Sequence, residues 1–187
     1  MNNQSINLQS ATPESLKTRQ VTPILKLVIF GMGNLHLALP IKSVYKVVNH
    51  TTVYSNGLKP IGVTHLGESE VTVVDLHQQF FQSSQSNHSP SGNYLVMVKN
   101  TIGELYGIPV ADSPLVIEVP LSGIRVLPES YRRANTLHLA SHVAVIPQEG
   151  APLTVFLLDV DRLLPIFQEL AAAQLLLAGV KQKERLG

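Results

Sequence analysis

Short runs of branched apolar residues recur in the same order in both halves of this chain, and that repeated order restricts its possible folds more than any single residue does. Leu27-Val28-Ile29-Phe30 is answered by Leu95-Val96-Met97-Val98. The Gly31-Met32-Gly33-Asn34 turn is answered by a turn around Asn100 to Gly103, with one extra residue between the flanking strands. Ala38-Leu39-Pro40-Ile41 has its counterpart in Gly107-Ile108-Pro109-Val110. Val71-Thr72-Val73-Val74-Asp75-Leu76 has its own in Val155-Phe156-Leu157-Leu158-Asp159-Val160. The second copy carries an insertion, roughly Pro120 to Asn135. Such self-similarity marks an internal duplication. Further strands are expected at Val44 to Val48 and Ile61 to Leu66, the latter closed by a turn at Gly67-Glu68-Ser69. Short β-branched runs with turn residues between them favour small barrels or a sandwich over βαβ units.

The expected architecture is therefore all-β, with one unit on either side of a Ser/Asn/Gly/Pro-rich linker from Phe81 to Gly92. The domain at 23–165 divides into a first barrel over about 24–89 and a second over about 93–165. A polar tail (1–22) precedes it, expected to be disordered, and a C-terminal helix (166–187) follows. Pro165 to Lys183 carries that helix: Pro165 suits an early helical position, and Asp161 or its neighbours cap the start. Leu163, Phe167, Leu170 and Leu177 mark its docking face.

Composition removes several functions. At 187 residues the chain can bury roughly 70% of its unfolded surface, so stability requires neither metal nor disulfide. It has no cysteine, which excludes disulfide frameworks, thiolate nucleophiles and Cys-based zinc sites. A net charge of +1 and 14% charged residues lack the basic excess that nucleic-acid binding demands. Without an eighteen-residue apolar run or an N-terminal h-region, neither a membrane span nor a signal peptide is expected, and a cytoplasmic protein follows.

Catalysis finds no support among the motifs. His138 and His142 have the spacing of a helical metal pair, but Leu139 stands where a zinc protease needs its Glu. Their segment, Leu137 to Ile146, alternates like a strand, so they read as surface residues. His36, His50, His65, His77 and His88 lie outside any ligand-spaced cluster. Asp159 and Asp161 read as helix caps rather than cation ligands. Gly31-x-Gly33 lacks both the third glycine and the following helix of a dinucleotide fingerprint. No cofactor or metal is expected, and a barrel without an active site acts through its surface and exposed edges. A nucleic-acid-binding barrel is the alternative, weakened by the balanced charge, five Phe, five Tyr and absence of Trp.

Three stretches carry a family resemblance. LVIFGMGNLHLALPIKSVYKVV from Leu27 resembles the first hairpin of CheW-like domains. IGVTHLGESEVTVVDL from Ile61 to Leu76 is similar to the family's Gly-Val-x-Asn-Leu-Arg-Gly stretch and its VPVVDL-like strand. LLDVDRLL from Leu157 resembles the closing segment. The resemblance covers about Ile24 to Pro165 and implies two small, intertwined five-stranded SH3-like barrels. It also implies a scaffold that binds the regulatory domain of a CheA-type histidine kinase and the cytoplasmic tip of a methyl-accepting receptor. By motif matching, the kinase-facing surface falls on Ile41, Val44 and Lys46. Gly62, His65, Leu66 and Gly67 fall near the interaction surfaces.

Three places depart from the family pattern. His65-Leu66-Gly67-Glu68 replaces Asn-Leu-Arg-Gly, Lys46 stands where an acid is common, and Ala111 where Asp often follows Val. Loss of the Arg fork removes a fixed polar contact. A specialised adaptor, serving a phototaxis or pilus-motility array through an altered partner, is the expectation these changes suggest.

Overall fold

Twelve strands form two antiparallel-rich sheets in the computed structural model, which describes residues 22–49, 52–55, 60–81, 93–133 and 137–163. The expected N-terminal tail up to residue 21, the linker from residue 82 and the helix expected from Pro165 lie outside the described residues. In one sheet the order is β10 (Ile124–Val126), β11 (Ala140–Ile146), β12 (Leu153–Leu158), β2 (Leu35–Pro40), β1 (Ile24–Met32), β9 (Leu115–Pro120). In the other it is β3 (Val44–Asn49), β7 (Tyr94–Lys99), β8 (Leu105–Val110), β6 (Ser69–Val74), β5 (Ile61–Leu66), β4 (Tyr54–Ser55). Each sheet counts six strands where five were expected; β4 and β10 are only two and three residues long.

The apolar runs follow from burial on both faces. Leu27 and Ile29 of β1 point into the first sheet's own small core with Ala38, Val119, Ala144, Val155 and Leu157. Phe30 and Met32 point the other way, into a central core shared with Leu37, Leu39, Val96, Val98, Ile108 and Leu158. The second sheet does the same: Leu95 and Met97 enter a small core with Val71 and Val73, while Val96 and Val98 face the centre. A strand covered on both sides reads as a continuous apolar run rather than an alternation. Side chains at the two ends of the second sheet (Val48 on β3, and Val53 and Leu66 at the β4–β5 end) meet in that small core, so the sheet curls into a barrel.

The duplication is exact in register at its first hairpin: Leu27 lies opposite Pro40 and Ile29 opposite Ala38, just as Leu95 lies opposite Pro109 and Met97 opposite Gly107. The two barrels do not, however, coincide with the two halves. Hairpin β1–β2 joins the strands of the second half, and hairpin β7–β8 joins those of the first. Division into barrels at 24–89 and 93–165 is corrected accordingly: those ranges delimit the repeats, not the sheets. The exchange rests on parallel pairs, β12 with β2 and β6 with β8, which a tight turn cannot make and a long connection can.

Both copies also end alike. The Asp75 amide donates to the Pro60 carbonyl at 2.9 Å, and the Asp159 amide to that of Leu139 at 2.9 Å. Asp75 Oδ1 then accepts from the Gln78 amide (3.0 Å) and starts α1 (Leu76–Phe81), a helix the sequence reading did not anticipate. Asp159 Oδ1 accepts from the Asp161 amide (3.1 Å) where the chain turns helical at 160–163. The cap is therefore Asp159 and not Asp161, whose carboxylate instead accepts from the Thr101 hydroxyl at 2.7 Å. α1 lays Phe81 over the β1–β2 turn, where Gly33 (φ +58°) leaves no room for a side chain: a Cβ would stand 2.8 Å from the ring. Another short helix, α2 (Glu129–Arg133), occupies the insertion.

Candidate partner-docking surface

The residues singled out after the first hairpin lie on one sheet edge. Pro40 ends β2, a single 3-10 turn (Ile41–Ser43) follows, and β3 then pairs with β7 on one side only. Between Val44 and Lys46 the register slips: Val44 lies opposite Val98 and Lys46 opposite Met97. Tyr45 is thus the extra residue of a β-bulge, a device that re-aims side chains and discourages edge-to-edge pairing. The outcome is a run of three outward residues, with Tyr45 60% and Val47 42% exposed and Ile41 beside them at 41%. Lys46 lies among them, its ammonium 5.8 Å from the Tyr45 ring. Val44 differs from the rest, since its side chain packs against the central core. An apolar patch with a cation at its middle suits docking of a protein partner.

The second group of candidates is on the far side of the same sheet, with β7, β8 and β6 intervening between β3 and β5. Hydrogen bonding therefore does not bring the two groups together. Gly62 is buried under the neighbouring strand, where an added Cβ would meet Val53 Cγ1 at 2.5 Å and the Tyr54 carbonyl at 3.0 Å. His65 is exposed, edge-on to Tyr54 at 6.3 Å. Leu66 packs against the small core. Gly67 opens the two-residue turn between Leu66 and Ser69 at φ +65°, with free space around it. The family's glycine falls one position later, so here the permissive residue has moved forward and taken the Arg position. Only His65 and Gly67 of this group present themselves to solvent.

Tyr45 and Val47 were not singled out from sequence, because the bulge that exposes them leaves no mark in the residues Val44-Tyr45-Lys46-Val47. His138 lies in a turn just before β11 and His142 on β11 itself, both half-buried; among the described residues no group of three His, Cys, Asp or Glu is arranged to hold a metal ion.

Two buried side chains, Asn100 and Tyr106, share a polar network with the exposed Glu104. Asn100 donates to the Tyr106 hydroxyl (3.1 Å) and to Glu104 Oε2 (3.2 Å), and Tyr106 donates to the same carboxylate. Burial first, then the Glu104 carboxylate, hold the Tyr106 hydroxyl well above its ordinary range. Together with the Glu104 amide, which donates to Asn100 Oδ1 at 2.8 Å, these bonds clasp the β7–β8 turn.

These features define a class: a duplicated, double-barrel β scaffold with an exposed apolar edge. The chain belongs to the CheW-like domain family, whose model matches residues 26–167. That family is one of non-catalytic scaffolds. Among solved structures the chain is similar to the scaffolding protein TtCheW from Thermoanaerobacter tengcongensis, with a TM-score of 0.59 and 18% identity over 76% of this chain and 88% of that one. No curated protein matches the sequence. Among the described residues no helix is long and apolar enough to cross a membrane.

Proposed function

We propose that this chain is a non-catalytic adaptor coupling methyl-accepting chemoreceptors to the regulatory domain of a CheA-type histidine kinase, in chemotaxis, phototaxis or pilus-motility signalling. Membership of the CheW-like family over 26–167 carries the proposal, and the exposed Ile41-Tyr45-Val47 edge supplies a surface for it. In this reading Ile41 and Lys46 contact the kinase together with Tyr45 and Val47, while Val44 supports them from beneath. His65 and Gly67 border an interaction surface, and Gly62 and Leu66 hold the β4–β5 end in shape.

The test is capture by the purified full-length chain of histidine kinases and receptors from its own organism. A CheA-type kinase is retained by the unmodified chain and lost with Tyr45→Glu, which places a charge in the patch at an exposed position. Val44→Glu is a poorer probe, because it also buries a carboxylate against the core. Failure to capture either kinase or receptor, with circular dichroism unchanged, sinks the adaptor reading.

A further inference from the structure

We infer that a basic cleft between α2 and the start of the C-terminal helical segment is a second docking point, built to take a carboxylate side chain of a protein partner. The cleft, of about 430 Å³, is lined by Glu129, Arg132, Arg133, His138 and Arg162. Three of its residues, Glu129, Arg132 and Arg133, lie on the insertion that the first repeat lacks. Two of its guanidinium groups already have carboxylates: Arg133 pairs with Glu129 at 3.0 Å and Arg162 with Asp159 at 3.1 Å. Arg132 is different. Its Nε is buried and has no hydrogen-bond partner among the described residues. A buried donor left unmade costs free energy, which an acceptor in the cleft recovers when the side chain turns its Nε–H outward to meet it.

Charge balance identifies the acceptor. Among the described residues, Glu129 in the cleft and Asp159 beside it offset two guanidinium groups and leave a single positive charge, which one carboxylate neutralises. Glu129 and Asp159 repel a polyanionic backbone or a dianionic phosphate. The planar guanidinium fork matches a carboxylate in a bidentate geometry. Only the partner's being a protein rests on the adaptor reading; the site itself rests on the cleft.

The test is a titration of the full-length, 15N-labelled chain with the blocked peptide Ala-Glu-Ala-Glu-Ala, following the arginine Nε–Hε resonances. Sodium phosphate, an oligothymidylate and the Gln counterpart of the peptide serve as comparisons at matched ionic strength. The Glu peptide is expected to shift the Arg132 resonance saturably, and the Gln peptide to leave it in place. Arg132→Gln and Arg162→Gln are each expected to weaken binding at least fivefold, read from the remaining cleft resonances, and Tyr45→Glu to leave it unchanged. Arg132→Lys, which keeps the charge and loses the fork, falls between wild type and Arg132→Gln. Equal shifts from the Gln peptide, tighter binding of phosphate or oligothymidylate, or wild-type affinity in Arg132→Gln overturns the inference. A failed titration leaves kinase capture untouched, and failed capture leaves the titration untouched, so the two proposals fall separately.

Discussion

Replacing Gly107 by Ala should destabilise the protein through one specific neighbour. Gly107 is buried at the middle of β8, and a Cβ built there stands 2.8 Å from Leu95 Cδ1 and 3.0 Å from both Cδ2 and Cγ. Cγ is the branch point of the side chain, so a terminal rotation does not relieve the overlap. Leu95 is itself held at 2% exposure among Val71, Val73 and Met97. Forcing a methyl into such a core costs about 1–3 kcal/mol. At about 2 kcal/mol, a chain of this length loses roughly 4–8 °C in Tm. The backbone is not the obstacle, since Ala38 occupies the equivalent place in the other repeat, fully buried, with Leu27 where Leu95 stands. Leu95→Val alone removes one methylene and costs about 0.8 kcal/mol. Combined with Gly107→Ala it opens the space the new methyl needs, so the double variant should be more stable than the sum of the singles by at least ~1 kcal/mol. Urea denaturation of the four proteins, followed by circular dichroism, measures that coupling. Additivity to within about 0.5 kcal/mol would refute the Leu95 clash as the cause.

Three other perturbations follow from the same geometry. Gly67→Arg puts an L side chain at φ +65° and should cost about 1 kcal/mol in urea titrations; adding Glu68→Gly should return part of it by moving the permissive residue along the turn. Asp75→Ala and Asp159→Ala each remove a helix cap and should cost about 0.5–2 kcal/mol, with no difference in Tm from wild type counting against the capping assignment. The raised Tyr106 hydroxyl binds its proton more tightly folded than unfolded, so its contribution is complete below about pH 10 and declines as pH rises beyond that. The urea midpoint should therefore fall between pH 9 and pH 11, and fall less in Tyr106→Phe; parallel profiles for the two proteins would contradict this.

Strand identity and the duplication were legible in the sequence because burial on both faces demands unbroken apolar runs, and those runs are local. Leu27 to Phe30 and Leu95 to Val98 are strands as read, and their shared order is matched by a shared register. The helical turns after Asp75 and Asp159 share a signal as well, a capping Asp after a strand, which was read as a cap only in the second copy. Ile41, Val44 and Lys46 were found through family resemblance, which indicates a segment but not which way each side chain faces. That was decided by the bulge at Tyr45, which leaves Val44 partly buried against the central core and turns Tyr45 and Val47 outward. Nor does alternation say which hairpin pairs with which half. The exchange depends on parallel neighbours far apart in sequence (Leu37 with Phe156, and Thr72 with Tyr106), chosen by how two barrels close around one central core. The gathering of Arg132, Arg133 and Arg162 is likewise tertiary, since nothing local to either segment tells it of the other. Local chemistry thus determined the elements of this protein, whereas their partners and outward faces were decided by long-range packing, because only closure of the shared core distinguishes one pairing from another.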